Sequence, residues 1–103
     1  MKLLLFVSSH CPHCPKAERV AGRCAPAYYE HGLSYMKIRT KTSEGKELCS
    51  KYGIMGTPAI LLVDDDWNEV KRVVGVPSEN NLKSDIDKLL GLKKSFFSRF
   101  FGD

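Results

Sequence analysis

The 103-residue chain is predicted to fold as one α/β domain, a four-stranded mixed sheet in the order β-α-β-α-β-β-α with helices on both faces. Three observations carry that prediction. Two short apolar runs, residues 2–8 and 59–63, do not alternate and read as strands buried on both faces. Three other segments repeat apolar residues at spacings of three or four, the period of a helix with one buried side. A polar turn, Asp64-Asp65-Asp66-Trp67-Asn68, joins the second apolar run to an alternating stretch over Glu69 to Val74, as in a hairpin.

The elements follow in order. After the first strand, Cys14, Ala17, Ala21, Cys24 and Tyr28 mark one side of a helix, with Lys16, Glu18, Arg19 and Arg23 on the other. Pro12 suits its first turn, where a missing N–H costs nothing. Pro26 is expected to kink or end it, and Gly32 closes the segment. Leu33 to Arg39 reads as the second strand, with Met36 and Ile38 on one face. Thr42 or Ser43 caps a short helix whose Glu44 and Glu47 suit its dipole and whose Leu48, Cys49 and Tyr52 precede Gly53. The last helix follows Pro77-Ser78, with Leu82, Ile86, Leu89 and Leu90 as its apolar face and Gly91 as its stop. A right-handed crossover makes the first two strands parallel, and the hairpin is antiparallel.

Composition sets the class. An apolar fraction of 43% and a charged fraction of 27% are those of an ordinary globular domain. The net charge of +4 does not call for a nucleic-acid partner. Leu3 to Val7 is too short for an export signal, and no run approaches the roughly 20 apolar residues of a membrane-spanning helix. Residues 1–92 form the domain. Residues 93–103, basic and rich in phenylalanine, form a tail suited to a membrane surface or a partner, or else to folding back or self-association.

Chemistry concentrates in Cys11-Pro12-His13-Cys14. Cys11 lies just past a buried strand, where the unpaired N–H groups and positive end of a helix favour a thiolate. Cys14 lies a turn deeper, placed to attack a mixed disulfide formed at Cys11 and to close an intramolecular disulfide. Pro12 stiffens the turn. The imidazole of His13 can be cationic or donate a hydrogen bond, which makes the disulfide more oxidising. Cys-x-x-Cys also begins many zinc sites, so a carrier site of Cys11 and Cys14 with His10 or His13 is a second reading. Cys24 falls about 15 Å further along the helix, and Cys24 and Cys49 read as buried thiols on opposite faces of the sheet. His31 suits a helix end, Trp67 a hairpin surface, and Asp64 to Asp66 a solvated turn.

A second signal is Gly56-Thr57-Pro58-Ala59. A proline entering a buried strand needs a special backbone role, and a cis Thr57–Pro58 bond is one.

Together these motifs resemble the thioredoxin and glutaredoxin superfamily, over about Met1 to Leu92, and most closely its short members. The resemblance implies a thioredoxin-like fold and a thiol–disulfide oxidoreductase. It implies Cys11 as nucleophile, Cys14 as resolving thiol, and Thr57-Pro58 as a cis-proline loop packed against them. Backbone beside that loop would pair with an extended substrate peptide, and Gly75 matches the family glycine near the same groove. The expected partners are protein disulfides and an upstream thiol or reductase that donates electrons. The expected setting is a cytoplasmic monomer without nucleic acid, metal, or any cofactor beyond the Cys11–Cys14 disulfide. The sequence departs from full thioredoxins at three places. His10 replaces a tryptophan, Pro12-His13 replaces Gly-Pro, and Leu5 stands where a buried acid would serve Cys14. Pro-His is similar to the dipeptide of periplasmic disulfide oxidases. A non-catalytic interaction module of the same fold is the remaining alternative.

Overall fold

The computed structural model describes residues 1–92; the phenylalanine-rich tail, 93–103, lies outside the described residues. Its elements are β1 (Lys2–Val7), α1 (Cys14–Cys24), a 3₁₀ segment (Ala25–His31), β2 (Ser34–Arg39), α2 (Ser43–Tyr52), β3 (Ala59–Val63), β4 (Glu69–Val74) and α3 (Glu79–Leu90). The four strands form one mixed sheet in the order β2-β1-β3-β4. β1 runs parallel to β2 and antiparallel to β3, and β3 and β4 form the expected antiparallel hairpin.

β1 and β3 lack alternation because both faces are covered. Leu3, Leu5, Val7, Ile60 and Leu62 pack with Cys14, Ala17, Ala21 and Cys24 of α1 and with Leu82 and Ile86 of α3. Leu4, Phe6, Ala59, Leu61 and Val63 pack on the opposite side with Leu48, Cys49 and Tyr52 of α2. Burying each such leucine contributes about 2 kcal/mol, so these two strands dominate the core. Cys24 and Cys49 therefore stand on opposite faces, as expected.

Four expectations are corrected. Pro12 is not in the first helical turn: α1 begins at Cys14, and Pro15 takes the early helical position. The reason is that Cys11, Pro12 and His13 are used in a turn, closed by the Cys14 N–H donating to the Cys11 carbonyl at 3.3 Å. Tyr28 is not on α1 either. Pro26 ends that helix, lacking an N–H to continue it, and the chain tightens into the 3₁₀ segment, where Tyr28 is buried. Leu89 is 41% exposed and leaves the apolar face of α3 to Leu82, Ile86 and Leu90. β4, an edge strand, does not alternate in burial, and its Val70 and Val74 are both exposed.

Caps follow the expected chemistry. Thr42, rather than Ser43, caps α2 by accepting from the Gly45 N–H at 2.9 Å. Ser78 does the same for α3 through the Asn81 N–H at 3.0 Å. Trp67 turns with a φ of 66° and packs on the α2 side of the core, with Lys2 Nζ 4.9 Å from its ring centre.

Candidate active site

β1 delivers the chain through Ser8, Ser9 and His10 to the site. Cys11 is half-buried, Cys14 is 2% exposed, and the two are joined in a disulfide with their Cα atoms 5.4 Å apart. The arrangement is asymmetric because Cys14 is the first residue of α1 and points into the core beneath it, whereas Cys11 precedes the helix. His13 is the N-cap residue of α1, its side chain makes no capping bond, and both Pro12 and His13 are exposed. The N–H groups of the first turn thus have no side-chain cap and favour negative charge at the helix mouth.

The second loop comes from the start of β3. The Thr57–Pro58 peptide bond is cis, and Pro58 is buried. Thr57 Oγ1 lies 2.8 Å from Ser8 Oγ, which joins this loop to the chain entering the disulfide turn. The Gly75 N–H donates to the Pro58 carbonyl at 2.9 Å, and Gly75 has a φ of 93°, a left-handed geometry suited to glycine. Thr57, Pro58 and Gly75 are therefore brought together, with Ser8 as their link to the cysteines. Just before them Met55 is 98% exposed.

Beside the disulfide is a groove of about 330 Å³, opening onto Cys11, Cys14 and Pro15 and walled by Glu18 of α1 and by Lys37, Arg39 and Lys41. Register explains the wall. Leu5 and Val7 face the α1 side, and their neighbours on β2 are Lys37 and Arg39. Lys37 reaches across to Glu18 at 3.0 Å. These charged residues were not singled out from the sequence, although basic residues at alternate positions 37, 39 and 41 are a signal of a shared side.

The other thiols are less acidic than usual, and Cys49, expected to be buried, is only half-buried. Burial, and then the Glu79 carboxylate, push the Cys24 thiol above its ordinary value; burial alone does so for Cys49. Among the described residues, no three His, Cys, Asp or Glu side chains gather where they could hold a metal ion. No helix among them is long and apolar enough to cross a membrane.

The thioredoxin domain family matches residues 1–87 of this chain. The chain belongs to the thioredoxin family. It is 38% identical over 87 residues to a probable thioredoxin of Archaeoglobus fulgidus, across 84% of this chain and 87% of that one. To a thioredoxin of Methanocaldococcus jannaschii it is 32% identical over 93 residues, across 87% of this chain and 96% of that one. A solved mutant thioredoxin from Halobacterium salinarum superposes with a TM-score of 0.68 at 29% identity, covering 84% of this chain and 72% of its own. Membership of the thioredoxin family and the Cys11–Cys14 disulfide make the chain a thiol–disulfide oxidoreductase.

Proposed function

We propose that this thioredoxin-family protein reduces or exchanges protein disulfides, with Cys11 as the nucleophile and Cys14 as the resolving thiol. The observation that carries the assignment is the unequal burial of two bonded sulfurs at the mouth of α1.

The reaction starts from the dithiol. Cys11 thiolate attacks one sulfur of a substrate disulfide, forming a Cys11–substrate bond and expelling the other substrate sulfur as a thiolate, which takes a proton from water. Cys14 gives up its proton and attacks Cys11 Sγ. The Cys11–Cys14 bond forms, and the second substrate sulfur leaves. The substrate has gained two electrons and two protons, and the protein has lost them. An external thiol or reductase restores the dithiol, so the disulfide itself is the only redox group the cycle uses. Thr57, Pro58 and Gly75 form the platform on which an extended substrate strand lies, with exposed Met55 at its border. Pro12 and His13 set the poise of the pair. The cytoplasm, where thiols are kept reduced, is the setting this cycle suits.

The test is insulin reduction driven by dithiothreitol. C11S is expected to abolish the acceleration. C14S is expected to retain the first attack and accumulate a covalent protein–insulin adduct that dithiothreitol releases. A C11S variant as fast as the native protein defeats the assignment. Stoichiometric zinc or copper(I) binding by the reduced native protein, with no acceleration of insulin reduction, replaces it with the metal-carrying reading.

A further inference from the structure

We propose that the groove beside the disulfide selects protein disulfides that carry carboxylate side chains next to the reacting cysteine, recognised by Arg39 and Lys41. The inference rests on Cys11 being the nucleophile and adds a substrate class to that reading.

The argument begins with charge. The groove opens on Cys11 and is walled by three basic side chains, Lys37, Arg39 and Lys41, and by one acid, Glu18. Glu18 and Lys37 neutralise one another at 3.0 Å. Arg39 and Lys41 are exposed, and neither has an ion-pair partner among the described residues. Two unit positive charges therefore face the approach to the reacting sulfur from one side. On the other side of Ser8 and Thr40, a second cavity of about 250 Å³ is bordered by Met55, Gly56 and Thr57 without any charged side chain. A substrate lying across the disulfide thus meets a cationic wall on one flank and an uncharged one on the other.

Fixed position is the second part. Arg39 ends β2, and its carbonyl accepts both from the Thr42 N–H at 3.2 Å and from Thr42 Oγ1 at 2.9 Å. The Lys46 N–H returns to the Thr42 carbonyl at 2.9 Å. Gly45 is buried against the same turn, where any Cβ would overlap the Arg39 carbonyl. The backbone carrying Arg39 and Lys41 is therefore pinned to α2, so less ordering is needed when an anion docks. A guanidinium with free donors recognises a carboxylate with directional hydrogen bonds, and the neighbouring ammonium adds attraction without geometry.

The test uses self-quenched fluorescent peptides, each holding one disulfide, identical except that the residues flanking the reacting cysteine are aspartate, asparagine or lysine. The full-length protein, pre-reduced and freed of reductant, is mixed with each peptide in single-turnover mode. At low ionic strength the aspartate peptide is expected to react about tenfold faster than the asparagine peptide. That ratio is expected to shrink toward one in about 0.5 M salt. In the double variant R39E/K41E the order is expected to invert, with the lysine peptide fastest, an outcome that mere structural damage does not produce. Equal rates for aspartate and asparagine peptides in the native protein overturn the inference alone. So does a preference that survives charge reversal. Failure to reduce any of the three peptides overturns the nucleophile assignment beneath it.

Discussion

The tuning role proposed for His13 rests on where the side chain stands. It is the exposed N-cap residue of α1, one position before the buried Cys14 and two after Cys11. In the proposed role its imidazole acts as a donor at a helix mouth that already favours anions. H13A is therefore expected to destabilise the Cys11 thiolate. The pH profile of iodoacetamide alkylation should move to higher pH, and the reduction potential should become more negative by about 10–30 mV. An unmoved alkylation profile contradicts the tuning role. The bonded cysteines and the cis Thr57–Pro58 bond were legible in the sequence because each belongs to a local motif, two cysteines three apart and a Thr-Pro before an apolar run. The Glu18–Lys37 pair was not. Its members lie 19 residues apart in sequence, and they meet only because β1 and β2 pair in the register that sets Lys37 beside Leu5.

Elements were legible from period and most of their ends from capping residues, but the break between the first helix and the segment after it was not. Apolar spacing over residues 14–28 continues through two different helices, because a 3₁₀ turn after Pro26 still delivers Tyr28 to the core. What pins that turn is polar. Tyr28 Oη donates to Asp87 Oδ1 at 2.7 Å and to the Lys83 carbonyl at 3.3 Å, tying the 3₁₀ segment to α3. Burial, and then the Asp87 carboxylate, push the Tyr28 hydroxyl well above its ordinary value, so it remains a donor throughout the neutral range. Y28F keeps the ring and removes the donor. It is expected to cost about 1 kcal/mol, read from the urea midpoint at neutral pH. A variant as stable as the native protein would show that packing alone holds the segment. The last strand was readable in its bounds but not in its burial. β4 lies at one end of the sheet and leaves Val70 and Val74 uncovered, so its alternating letters correspond to no buried stripe.

For the molecule as a whole, the order of elements and the two-faced sheet were predictable because runs with no alternation demand cover on both sides. Charge placement around the groove was not, since it depends on which strand becomes an edge. Global stability carries a second signature of burial. Cys24 and Cys49, one on each side of the sheet, are both held above the ordinary thiol value. Below about pH 8.5, where unfolded thiols keep their protons, their contribution to stability is constant. As the pH rises further, the unfolded chain ionises while the folded one does not, and stability falls until the folded values are passed. Between the unfolded and folded values the slope is at most about 1.4 kcal/mol per pH unit for each thiol. Urea midpoints are expected to decline above about pH 8.5, and C24A is expected to flatten that decline whatever it costs at neutral pH. An identical decline in C24A would assign the alkaline loss elsewhere. The contact between Gly45 and the Arg39 carbonyl has a reach beyond packing. Adding even one methyl inside the second helix displaces the Arg39 carbonyl, and with it the rim of the groove beside the disulfide, from a position on the far side of that turn.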